Sequence, residues 1–134
     1  MEKETYHDQR WFRHGAIEVQ FTPIRKTFNG WVYFHTRNVS DGYESLICGG
    51  ELALLLSLDT DEAKTLSQIS EDFTKWTNRI REDNKFAKNY VALTRSGFYG
   101  YMGSIEEKFG FCVIKKVGQG LWRLTLPEEQ YALH

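Results

Sequence analysis

Two turn signals, Asn29-Gly30 and Asp41-Gly42, cut the first third of the chain into segments of alternating character, and alternation is the pattern of a sheet with one buried face. Ile17, Val19 and Phe21 alternate with Glu18, Gln20 and Thr22. In the return segment Trp31, Tyr33 and His35 share one face, and Val32 and Phe34 share the other. A third segment runs from Tyr43 to Cys48. Residues 16–48 therefore read as a three-stranded antiparallel meander. Pro23 lacks an amide hydrogen, so the first strand is an edge there or bends. Residues 1–14 are polar and charged and read as a flexible arm, unless Trp11 and Phe12 dock.

After Gly49-Gly50 the period changes. Residues 51–56 form a short apolar segment that reads as helix. Asp59 and Glu62 have the spacing of a capping box, and Ala63, Leu66, Ile69, Phe73, Trp76 and Ile80 recur at three and four. These predict a central amphipathic helix over about residues 60–81, its apolar stripe on the sheet and its end basic through Lys75, Arg79 and Arg81. At the far end, residues 111–126 read as a β-hairpin about Gly118-Gln119-Gly120, with Lys115-Lys116 just before the turn. Residues 91–108 admit two readings. One is a helix-turn-helix, with a short helix at 86–92, a turn at Leu93-Thr94 and a longer helix at 95–108. The other is a hairpin, with strands at 91–95 and 98–102 about Ser96-Gly97. Gly97, Gly100 and Gly103 disfavour the helix by about 3 kcal/mol before packing. Either way the fold class is α+β, a single domain over 1–134, with 50–134 as its helical and hairpin part.

The 134 residues carry a net charge of −1, which argues against coating nucleic acid by charge alone. The distribution is uneven: −7 over residues 39–72 and +6 over residues 73–127. Aromatic residues make up 15% of the chain, with four Trp and seven Tyr, which suits a β-rich core and also stacking on bases or a protein partner. Cys48 and Cys112 have no Cys or His partner at metal-ligand spacing, so buried free thiols in a reducing compartment are expected. With no leader, lipidation motif or run of spanning length, a cytoplasmic location with no membrane partner is expected.

The C-terminal half resembles a winged helix-turn-helix DNA-binding domain over about residues 61–127. The residues that carry the resemblance are Thr94-Arg95-Ser96, Ile105-Glu106-Glu107-Lys108, Phe109-Gly110, Val113-Ile114-Lys115-Lys116, the Gly118-Gln119-Gly120 turn and Leu121-Trp122-Arg123-Leu124. The resemblance implies that Arg95, Ser96 and Tyr99 face the major groove, and that Lys115, Lys116 and Gln119 reach the backbone from the wing. Candidate nucleic-acid-binding residues are Arg79, Arg81, Lys85, Lys88, Arg95, Ser96, Tyr99, Tyr101, Lys115, Lys116, Gln119 and Arg123. Base stacking by Trp31, Tyr33, Tyr99 and Tyr101 on a sheet is a single-stranded variant of the same idea.

Catalysis lacks support. Glu62-Ala63-Lys64 with Asp59 or Asp41 superficially matches a metal-dependent nuclease, but capping accounts for those acids. The cysteines have no nearby base in sequence, the four histidines are scattered, and the Gly-Gln-Gly turn lacks the spacing of a phosphate loop. No catalytic residue, metal or cofactor is expected. The sequence points to a non-enzymatic protein that binds DNA or RNA, with a phage- or plasmid-type regulator or replication accessory factor as its setting. The alternative is a protein-binding module or inhibitor acting through an acidic or aromatic surface. The helical seam at 66, 69, 73, 76 and 80 also permits a homodimer.

Overall fold

Gly15 adopts a left-handed φ of +70°, and the chain reverses there between β1 (Phe12–His14) and β2 (Ile17–Val19). His14 pairs with Ile17, so the loop is the two residues Gly15-Ala16, a tight hairpin that needs glycine at its first position. This is a computed structural model, and it describes residues 10–26, 32–83 and 92–129. The expected flexible arm is corrected at its end: residues 12–14 are a strand. Both rings of the arm dock. Trp11 lies under the Arg37 guanidinium at 4.2 Å, and Phe12 packs on Phe21 with centroids 5.3 Å apart.

β4, named in chain order after the short β3 (Arg25–Lys26), spans Val32–Asn38 and is the spine of the sheet. β2 and β3 pair with it on one side and β5 (Glu44–Cys48) on the other, all antiparallel. β2 and β3 are one interrupted strand. Gln20 N–H reaches His35 O and Arg25 pairs with Tyr33, so residues 21–24 stand opposite Phe34 alone. The bend falls at Pro23, where no amide hydrogen is available for a ladder. The Asn29-Gly30 turn lies outside the described residues. The alternation holds along β4: Val32, Phe34, Thr36 and Asn38 are buried, while Tyr33, His35 and Arg37 are half-buried on the other face.

α1 (Gly49–Leu56) is buried from Gly49 to Leu55, as an all-round apolar helix must be. It starts two residues earlier than the sequence suggests. α1 touches β4, β5 and both later helices. α2 (Leu66–Asp83) buries Ile69, Phe73, Thr77 and Ile80. Its apolar stripe packs principally on α1, not on the sheet as expected.

The start of α2 is also a correction. Asp59 and Glu62 do not cap it. Thr65 and Gln68 do: Gln68 Oε1 accepts from Thr65 N–H at 2.9 Å, and Thr65 Oγ1 accepts from Gln68 N–H at 3.2 Å, a reciprocal box. Residues 59–64 stay out of the helix, bending at 60–62 between two contacts with β7. Lys64 exchanges both backbone hydrogen bonds with Trp122, and Asp59 O accepts from Leu124 N–H.

α3 (Arg95–Phe109) leads into β6 (Ile114–Gly118) and β7 (Leu121–Leu124), which among the described residues pair with each other, with a bridge from Trp122 to Lys64. A 3-10 turn, Pro127–Glu129, follows. The hairpin is shorter than the expected 111–126. The architecture is α+β, with an antiparallel sheet and a separate hairpin joined through one core of Phe34, Leu55, Phe73, Phe98, Ile105 and Leu124. A Cβ on Gly15 would meet Thr125 O at 3.0 Å and Leu124 Cβ at 3.2 Å, so the first turn lies against the end of β7. Among the described residues no helix is long and apolar enough to cross a membrane.

Candidate nucleic-acid interface

α3 resolves the two readings of 91–108 in favour of helix from residue 95. Its ends are well defined. Thr94 is the N-cap, its hydroxyl accepting from Gly97 N–H at 3.0 Å, and Gly110 closes it with φ +77°. Phe98, Ile105 and Phe109 anchor the helix in the core. Burying three such side chains contributes roughly 1.5–3 kcal/mol each, which outweighs the intrinsic cost of the three glycines. The alternative strands at 91–95 and 98–102 are therefore absent from the described part of that segment. The short helix expected at 86–92 falls almost wholly outside the described residues.

The exposed stripe of α3 carries Arg95, Ser96, Tyr99, Gly100, Gly103 and Glu107. A Cβ at Gly100 or at Gly103 would meet nothing within 4 Å. The glycines thus leave the stripe low rather than packing it against a neighbouring helix.

The hairpin is seated against the start of α3 by Trp122, whose ring meets Phe98 edge-on at 5.0 Å and Tyr99 at 5.8 Å. Gln119-Gly120 forms its two-residue tip, with Gly120 at φ +69° and an irregular register between Lys116 and Gly118. Thr125 holds the base, donating to Cys112 O at 2.9 Å. The result is a cleft of about 240 Å³ between Arg95, Phe98 and Tyr99 of α3 and Lys116, Gln119 and Trp122 of the hairpin. Lys116 Nζ sits 5.7 Å from the Trp122 ring centre, a favourable position for a cation over an aromatic face. Among the described residues neither Arg95 nor Lys116 has a carboxylate within ion-pair distance.

Other candidates lie elsewhere. Lys115 and Arg123 are opposite each other in the register, on the strand face away from Lys116. Both engage Glu129: Arg123 through two bonds of 2.8 and 2.6 Å, Lys115 at 3.6 Å. Arg123 and the Leu126 N–H hold the Glu129 carboxyl well below the usual range, at about 2. Tyr101 is half-buried, its ring 5.9 Å from Phe73. It lies on a helix, as Tyr99 does, so the sheet platform of Trp31, Tyr33, Tyr99 and Tyr101 does not exist as such. Arg79 pairs with Asp83 at 3.7 Å and lines a different cleft, with Phe21 and Trp76. Arg81 is exposed near the end of α2. Lys85, Lys88 and Trp31 are outside the described residues.

A second polar cluster has no counterpart in the sequence reading. Glu51, 3% exposed, accepts from Cys48 N–H at 2.9 Å, from Lys108 Nζ at 2.6 Å and from the Ser104 hydroxyl. The local signal was Cys48-x-x-Glu51, a cap followed three residues later by Glu. Ser104 and Lys108 are 53 and 57 residues away. Burial pushes the Cys48 thiol up, with Glu51 adding to it, so this sulfur is a thiol and not a thiolate. Cys48 and Cys112 are free and half-buried. Lys64, the lysine of the superficial nuclease triplet, binds Ser57 O at 3.1 Å and Asp72 at 3.0 Å. Among the described residues no group of three His, Cys, Asp or Glu is placed to hold a metal ion.

Comparison with family models, with curated proteins and with solved structures returned no match.

Proposed function

We propose that this chain is a small, non-enzymatic nucleic-acid-binding protein that docks on duplex DNA through the start of α3 and the tip of the hairpin, the cleft between them taking a backbone phosphate. The observation that carries the reading is the meeting of Arg95 and Tyr99 with Lys116 and Gln119 across one cleft. Two cations without carboxylate partners among the described residues, beside a helix N-terminus, suit phosphate oxygens. The order of elements supports it further: helix, bridging segment, helix, helix and hairpin is the order of a winged helix-turn-helix. In this reading Ser96 and Tyr99 face base edges, and Gly103 lets the groove wall approach the helix backbone. Lys116 and Gln119 hold the backbone from the hairpin.

Anisotropy of a fluorescent duplex, with a single strand and an RNA duplex as comparators, tests the proposal. Two phosphate contacts give a log–log salt slope of about −2. Arg95→Glu and Lys116→Glu are each expected to weaken binding about tenfold or more, and Lys115→Glu, already tied to Glu129, less. An Arg95→Glu/Lys116→Glu protein that binds duplex as well as wild type overturns the reading.

One observation favours a second reading, a protein-binding module. Phe12 and Phe21 are 41% and 43% exposed and meet at a tilt, Phe21 lining the same cleft as Trp76. Paired exposed rings are the kind of anchor protein interfaces use. Retention of a partner by wild type, its loss on Phe21→Ser and the absence of duplex binding would select this reading.

A further inference from the structure

We propose that the cleft between α3 and the edge of the sheet binds a small, neutral, planar aromatic molecule carrying a hydrogen-bond acceptor on one edge. The cleft has a volume of about 560 Å³, within the range of small-molecule sites. Its apolar sides are Tyr33, Phe73, Leu93 and Tyr101, four residues from separate parts of the fold. One wall is bare helix backbone at Gly97 and Gly100. Gly100 costs α3 roughly 0.8–1 kcal/mol relative to alanine, and nothing within 4 Å would obstruct a Cβ there. Packing does not require that glycine. An open wall does.

The polar end is built from Glu51, Ser104 and Lys108, with Tyr101 beside it. Glu51 fixes the Lys108 ammonium at 2.6 Å, which leaves that ammonium further N–H groups to donate. The Tyr101 hydroxyl has no hydrogen-bond partner among the described residues, and its ring is held over Gly50, where any side chain would collide with it. Burial pushes this phenol up, so it too remains a donor. The site therefore offers donors, and a ligand must bring acceptors. It must also be neutral, because Glu51 already balances Lys108 and a ligand carboxylate would stand beside the Glu51 carboxylate. Rings on the walls and an open glycine backbone suit a flat molecule.

The test uses the full chain and three probes: coumarin, a neutral ring with a carbonyl acceptor; naphthalene, without an acceptor; and 2-naphthoate, an anion. Binding is followed by two-dimensional amide NMR and saturation transfer. Coumarin is expected to bind saturably, several-fold tighter than either other probe, and to shift amides of α3 and β5. Gly100→Leu, which places a side chain at the open wall, is expected to weaken coumarin about tenfold. Gly103→Leu, on the same helix but outside the cleft, is expected to leave it unchanged. Tyr101→Phe is expected to weaken coumarin a few-fold while leaving naphthalene as it was. Absence of saturable coumarin binding to wild type overturns the proposal, as does undiminished binding by Gly100→Leu or a preference for 2-naphthoate.

Discussion

Two carboxylates hold the C-terminal half together, and they do so in opposite surroundings. Glu51 ties α1 to α3 through Lys108, Ser104 and the Cys48 N–H, and its side chain is 3% exposed. Glu129 ties the hairpin to the turn that follows it through Arg123 and Lys115, and its side chain is 20% exposed. By bond geometry the second network is at least as good, since Arg123 grips it with two parallel bonds. Water decides the difference. A broken bond at Glu129 is replaced by solvent, whereas one at Glu51 strands a polar group inside the protein. Geometry alone would rank the two networks wrongly.

The largest expected effect is therefore at Glu51. Glu51→Ala leaves the Cys48 N–H, Ser104 and Lys108 without their acceptor and is expected to destabilise the fold by about 3 kcal/mol in urea unfolding. A Glu51→Met/Lys108→Met protein should recover much of that loss. A single variant costing no more than a surface pair would collapse the distinction between the two networks.

Glu129→Gln, which keeps a neutral acceptor for Arg123 at a part-exposed site, is expected to cost less, about 1–2 kcal/mol at neutral pH. It also sharpens the comparison through pH. The folded carboxyl titrates at about 2 against an ordinary value near 4.5, so folding favours its ionised form. That contribution is complete above about pH 4.5 and is lost as pH falls toward 2. Stability measured across this window should fall more steeply for wild type than for Glu129→Gln. Parallel profiles would show that Glu129 contributes nothing.

The smallest effect serves as a control on α3 itself. Gly103→Ala adds a methyl group where nothing stands within 4 Å and is expected to stabilise by about 0.8 kcal/mol. A loss instead would mean that α3 tolerates no change, and the Glu51 result would no longer report on burial.

The parts of the fold that were legible in the sequence are those in which a local period records burial. Val32, Phe34 and Thr36 alternate because β4 has one core face, and Ile69, Phe73 and Ile80 recur because α2 has one core stripe. β1 was missed because three residues cannot show a period, although Gly15-Ala16 before an alternating run was a usable hairpin signal. The start of α2 is ambiguous in the sequence because two capping patterns stand six residues apart. Only the distant pairing of Lys64 with Trp122 selects between them. The sequence leaves α3 open because local propensity opposes it, while Phe98, Ile105 and Phe109 support it from the core. In the candidate interface the basic residues could be named, but not sorted. That Lys116 is available and Lys115 and Arg123 are engaged depends on Glu129, which no pattern connects to them. The Glu51 cluster was illegible for the same reason, its partners lying half a chain away.

The contact of Gly15 with Thr125 also has a consequence for the order in which a ribosome delivers this chain. The first hairpin emerges before the backbone it leans on, which follows about 110 residues later. Until residue 125 has cleared the exit tunnel, the β1–β2 turn has not met the backbone it leans on, and the loop to be closed spans about 110 residues. The N-terminal sheet is therefore a scaffold that waits. Its completion waits on residue 125, however early β1 and β2 have paired.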